Sequence, residues 1–185
     1  MASFRSILAP RRRHERAGFA LYTAAVGAAR APYLYASLGA PDTLDGRFDL
    51  VGLHVILLID RLRAAAPPGP DLAQAVFDAM FSDMDLTLRE LGVGDLSVGK
   101  KVRAMWEAFH GRAAAYAGPL EAGDAATLAS ALVRNVWRGA DPPPCAAGTL
   151  ARIALAQRAH LARQGLDSLA GGTVAFLAPL TALAA

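Results

Sequence analysis

Disulfides, paired thiols and β-sheet have almost nothing to build on in this sequence. Cys145 is the one cysteine, which excludes an internal disulfide framework and fits a reducing compartment. No run of alternating β-branched residues sits between turn signals, which argues against strands. Charge is sparse as well: 19% of residues are charged and 54% are apolar, too hydrophobic a balance for a disordered chain. Long apolar runs are missing. Residues 50–59 make a run about half the length of the ~20 that a bilayer span requires. Residues 168–185 carry no charge, but Gly171, Gly172, Thr173 and Pro179 dilute them, and this tail is expected to pack against the core.

Alanine is what the chain has in plenty, at 42 of 185 residues. It is the best helix former and a poor strand former, so the expected fold is all-α: one helical domain of six to eight helices. Residues 14–38 read as a helix bent near Ala31–Pro32 and stopped by Gly39, because a residue before proline avoids the helical region. A helix over 43–65, capped by Asp42 or Thr43, is apolar around nearly its whole circumference and should be central and buried. After the rigid Pro67–Pro70 linker, Asp71 is expected to cap a helix over 72–91 striped by Phe77, Phe81, Met84, Leu88 and Leu91. Asp95 is expected to cap the next, 96–117, and Asp124 another to Arg138; a last long helix is expected over 146–164.

Positive charge collects at the start. Arg5, Arg11, Arg12, Arg13 and Arg16 stand against Glu15 in the first sixteen residues, leaving the remainder nearly neutral. Residues 1–13 therefore read as a flexible basic arm whose Arg11, Arg12 and Arg13 suit anionic lipid or RNA, or a solvated terminus. No apolar stretch follows to make a secretory signal, while an Arg-rich, acid-poor start is compatible with a mitochondrial transit peptide. Because the excess lies on an arm and not on a folded patch, DNA is not an expected partner.

Several short motifs imitate catalytic ones. Asp83-Met84-Asp85-Leu86-Thr87 matches the DxDxT element of haloacid-dehalogenase phosphatases, yet it lies mid-helix. There the two carboxylates project about 200° apart and cannot share one magnesium. Gly94 to Lys100 imitates a phosphate-binding loop, but Lys101 stands where a magnesium-binding hydroxyl is needed and no strand precedes it. Glu107 and His110 form one Glu-x-x-His, an element that di-iron bundles need twice. His54 reads as a core histidine and Cys145 as a bystander. No catalytic, cofactor or metal site is expected.

A charge asymmetry is left. Residues 71–95 hold six acids against Arg89, and residues 96–112 hold Lys100, Lys101, Arg103 and Arg112 against Glu107. Two readings stay open: the two helices pair with each other, or Asp83, Asp85, Arg89, Glu90, Lys100, Lys101 and Arg103 face a partner. Leu86, on the polar side of the acidic helix, favours a partner.

Ala31-Pro32-Tyr33-Leu34-Tyr35, the stretch 38–54 (LGAPDTLDGRFDLVGLH), the stretch 77–112 (FDAMFSDMDLTLRELGVGDLSVGKKVRAMWEAFHGR) and 131–137 (ALVRNVW) together resemble the ubiquinol–cytochrome c chaperone family, assembly factors of the cytochrome bc1 complex. The resemblance covers about 18–140, departs from the pattern at His110, and leaves 141–185 as a helical extension. It implies an all-α, non-catalytic chaperone that binds newly made cytochrome b or its assembly intermediate near the membrane. A small co-chaperone and contact with the ribosome are implied for mitochondrial members. The implied location is the bacterial cytoplasm, peripheral to the inner membrane, with the matrix side of the mitochondrial inner membrane as the alternative. A small helical enzyme or a lipid- or quinone-binding protein is the competing reading.

Overall fold

The structure is a computed structural model that describes residues 4–184, with side chains from residue 12 onward. Among the described residues the only regular secondary structure is helix, in six long helices and three short ones. They are α1 (Phe4–Ala29), α2 (Pro32–Ala36), α3 (Leu44–Arg63), α4 (Gly69–Glu90), α5 (Asp95–Ala122), α6 (Ala125–Val136), α7 (Ala146–Ala162), α8 (Leu166–Ala170) and α9 (Pro179–Ala184). The boundary expected at residue 14 falls inside α1, whose first buried side chain among those described is Ala17. The side chains of Arg5 and Arg11 lie outside the described residues; Arg12 and Arg13 are exposed on α1.

α1 ends where Ala31 leaves the helical region (ψ 123°) ahead of Pro32, and Gly39 turns the chain with a φ of 65°. Thr43 caps α3 by accepting from the Gly46 amide at 3.1 Å. A side chain at Gly46 would put its Cβ 2.0 Å from the Pro41 carbonyl oxygen, so the approach to α3 is closed to any larger residue. From Phe48 to Ile59 every residue of α3 is buried, and the helix packs on α1, α4 and α7. It is the central helix that the apolar circumference predicts. α1 crosses α4 closely at Gly18, whose place leaves no room for a Cβ beside the Ala75 backbone.

Two expected caps are corrected. Proline is tolerated in the first helical turn, so α4 starts at Gly69 with Pro68 as its cap, and Asp71 falls inside that turn. α5 is capped by Gly94, while Asp95 turns to Arg89. Asp124 does cap α6, its Oδ1 accepting from the amides of Ala126 and Thr127 at 3.0 Å each. α5 also runs past its expected end, through Pro119, to Gly123. The stripe on α4 differs in part from the expected one: Leu72, Val76, Met80, Met84 and Leu88 face inward, Phe77 and Phe81 are half-buried, and Leu91 is 62% exposed. Both heptad-like series are apolar, and the bulkier pair is used to reach Phe109 on α5.

The C-terminal tail packs as expected, held by Gln157 of α7 and by Gln164 just beyond that helix. Gln157 donates to the Leu177 carbonyl (2.6 Å) and accepts from its amide (2.9 Å). Gln164 does the same with Ala175 at 2.7 and 2.9 Å. Phe176 then sits edge-on to the buried His54 ring, with centroids 5.7 Å apart. His54 is a core residue, its Nδ1 2.9 Å from the Leu50 carbonyl, and burial holds its pKa below the usual imidazole value.

Candidate functional site

α4 and α5 meet in a hydrogen-bonded turn. After α4 the Gly92 amide donates to the Arg89 carbonyl (2.9 Å) and the Val93 amide to the Leu88 carbonyl (3.0 Å), with Gly92 at φ 78°. That is the Schellman arrangement, which satisfies the last carbonyls of a helix. Ser97 then donates to the Gly94 carbonyl at 2.8 Å to start α5. Leu88 and Val98 are buried beneath this turn, although neither belongs to the main core. From Arg89 to Ser97 only Val93 is partly covered, so the turn is a convex end with its own small apolar clasp.

The charged residues singled out in the sequence fall into distinct groups there. Asp83 is half-buried and accepts from the Tyr22 hydroxyl at 2.6 Å, so it faces α1. Burial, reinforced by Asp83, raises the Tyr22 pKa far above that of a free phenol. Arg89 holds Asp85 at 2.6 Å and also contacts Asp95 across the turn. Arg103 pairs with Glu107 one turn along at 3.0 Å. Glu90, Lys100 and Lys101 are exposed and make no ion pair among the described residues. No ion pair joins Asp83, Asp85 or Glu90 to Lys100, Lys101 or Arg103, so charge pairing along the two helices is not what holds α4 on α5. Phe77 and Phe81 against Phe109 do that.

The catalytic look-alikes are dispersed by the same geometry. Asp83 and Asp85 serve different partners, Tyr22 and Arg89, and Glu107 serves Arg103. No group of three metal-ligating side chains converges among the described residues. Cys145 is an exposed free thiol at the start of α7.

Two features were not read from the sequence. The first is a network around Asp49, which is fully buried in α3. Arg112 of α5 lies 2.6 Å from one carboxylate oxygen and Arg138 lies 3.3 Å from the other. Arg138 also reaches Asp45 at 3.4 Å, from a left-handed backbone (φ 54°) just beyond α6. Burial raises the Asp49 carboxyl to about 6, against the pull of the two guanidinium groups. An aspartate inside an apolar helix is the signal that could have revealed this, since a buried carboxylate requires partners. The second feature is an aromatic strip. Trp106, 46% exposed, lies against His110 with centroids 4.1 Å apart, and His110 continues to Phe77 at 5.6 Å.

Comparison with known proteins agrees with the architecture. Residues 36–176 match the family model described as ubiquinol–cytochrome C chaperone. The match therefore extends through α7 and α8, beyond residue 140 where the resemblance was expected to end. The crystal structure of the Cbp3 homolog from Brucella abortus superimposes with a TM-score of 0.80 at 34% identity, covering 91% of this chain and 92% of that one. No curated protein matches the chain. With its helical fold shared almost end to end and the family model spanning most of its length, this chain belongs to the ubiquinol–cytochrome c chaperone family.

Proposed function

We propose that this chain is a non-catalytic assembly chaperone for the cytochrome bc1 complex, and that it binds newly made cytochrome b or its assembly intermediate at the membrane surface. The observation that carries the reading, beside family membership, is the exposed α4–α5 end, where one ion pair, Arg89 to Asp95, bridges the turn and Glu90, Lys100 and Lys101 have no ion-pair partner among the described residues. Asp85, Arg89, Glu90, Lys100, Lys101 and Arg103 form the contact surface there, with Asp83 behind it. A small co-chaperone is a second occupant of the same kind of surface.

No helix among the described residues is long and apolar enough to cross a membrane. The proposed location is the cytoplasmic face of a bacterial inner membrane. Arg11, Arg12 and Arg13 at the start of α1 are the basic element proposed to meet anionic lipid or ribosomal RNA. The alternative of a lipid- or quinone-binding protein fits less well. The groove between α3 and α5, lined by Ile56, Ile59, Phe109 and Leu120, measures about 140 Å3, below the ~300–1,000 Å3 usual for ligand pockets, and the wider hollows on the described surface are open to solvent.

Deleting the gene in its host and recording haem difference spectra of the membranes tests the reading. The expected result is loss of the b-type haem signal of the bc1 complex, restored by the intact gene. A deletion strain with a full complement of bc1 complex would overturn it.

A further inference from the structure

The α4–α5 turn carries more exposed apolar surface than its length would suggest. Leu96 is 100% exposed and Leu91 62% exposed, with half-covered Val93 between them. Single surface leucines are ordinary, but here apolar side chains sit together at a convex end. The turn cannot fold them away: its main chain is fixed by the Arg89–Gly92 and Leu88–Val93 hydrogen bonds, and Leu88 and Val98 already fill the space beneath.

Charge is arranged around this apolar crown in a definite way. Between Arg89 and Arg103 there are four cations and two carboxylates. One of those carboxylates, Asp95, lies beside Leu96 and is neutralised by Arg89. Lys100 and Lys101 follow Leu96 by about one helical turn and have no ion-pair partner among the described residues. Lysine stems lie along apolar surface while their ammonium groups remain at the polar boundary. Leucines at a convex tip with unpaired lysines one turn behind match the layering of a bilayer surface, apolar first and anionic phosphate above it.

We infer that the α4–α5 tip is a lipid-contacting wedge, in which Leu91, Val93 and Leu96 enter the head-group region of an anionic bilayer and Lys100 and Lys101 meet its phosphates. The wedge divides the surface proposed above. The crown and the two lysines face lipid, and the flank of Asp85, Arg89, Glu90 and Arg103 is left for the protein client. The inference rests on the chaperone reading only for a location beside a membrane. Vesicle binding is measured on the purified chain without cytochrome b, so either idea can fail alone.

The test is co-sedimentation of the full chain with vesicles of phosphatidylcholine alone and of phosphatidylcholine mixed with phosphatidylglycerol. Binding is expected to the mixed vesicles and to weaken with salt. The Leu91→Ser/Leu96→Ser chain should bind them about tenfold more weakly or less. The Lys100→Gln/Lys101→Gln chain should lose roughly fivefold for each lysine, the equivalent of about 1 kcal/mol apiece near an anionic surface. Both pairs are exposed, so thermal melts should match the parent; the lysine pair stands alone as the test if the leucine pair lowers the melt. The inference is overturned if both variants bind like the parent while Arg11→Gln/Arg12→Gln/Arg13→Gln abolishes binding, which would place attachment on α1. It is equally overturned if the leucine variant keeps its vesicle affinity but loses bc1 assembly, which would make the tip a protein contact.

Discussion

Around Asp49 each charge has an opposite charge within reach, whereas at the α4–α5 end Glu90, Lys100 and Lys101 have none among the described residues. The inner network ties α3, α5 and the segment after α6 through Arg112, Arg138 and Asp45. At the outer end, the ion pairs are confined to neighbouring turns of one helix or to the turn between helices. Burial makes the difference. A carboxylate taken out of water must be paired, and removing its partner is costly, while an exposed pair contributes little and an unpaired surface charge costs almost nothing. Charges in the first setting hold the fold; charges in the second are available to a partner.

Four perturbations would sharpen or break that contrast, beginning with the largest. Arg112→Ala leaves Asp49 buried beside the half-exposed Arg138 alone, and chemical denaturation should show a loss of about 3–5 kcal/mol. Replacing both groups, as Asp49→Leu with Arg112→Met, should recover most of that. A mild single effect would place the network among the surface pairs instead.

Tyr22→Phe is next. It removes the hydroxyl that donates to Asp83 and should cost about 1.5 kcal/mol, as for a hydrogen bond to a charged acceptor. That outcome assigns Asp83 to the interior set; no change in stability would return it to the surface.

Acid titration comes third. Burial lowers the His54 pKa, so below about 6.5 the unfolded chain takes up a proton that the folded chain refuses. His54 thus contributes stability that is present above that pH and is lost as pH falls, by up to about 1.4 kcal/mol per pH unit. Asp49 acts in the opposite sense. Its carboxyl is raised to about 6, so its stabilising contribution is full at low pH and is lost as pH rises through that value. Melting temperatures measured from about pH 7 to about pH 5 should therefore fall for the parent more than for His54→Gln. Equal falls would show that His54 is not the group responsible.

Much of this was legible in the residues. The apolar circumference of 43–65 marked the central helix, Ala31–Pro32 and Gly39 marked the break before it, and Asp124 marked the start of α6. The caps at Asp71 and Asp95 were misread because an acid near a helix start looks the same whether it caps or merely lies in the first turn. The α4 stripe held at Met84 and Leu88 and failed at Leu91; it left out Leu72, Val76 and Met80 because Phe77 and Phe81 form a second apolar series packed against the edge of the core. Asp49 passed unnoticed because its partners lie far along the chain, and helix periodicity reports only on near neighbours. At the candidate surface the sequence showed which charges were in excess; the ion pairs that Arg89 and Arg103 form, and the lack of any for Lys100 and Lys101, depend on rotamers and helix crossing.

The smallest expected change in stability carries the central claim, that the α4–α5 end is a contact surface and not a pair of helices held together by charge. Glu90→Lys, measured both for thermal melting in vitro and for bc1 content by haem spectra in the host, tests it directly. The account predicts a stability change below about 0.5 kcal/mol together with loss of bc1 assembly. A sharply lowered melt that a compensating Lys100→Glu or Arg103→Glu restores would contradict it.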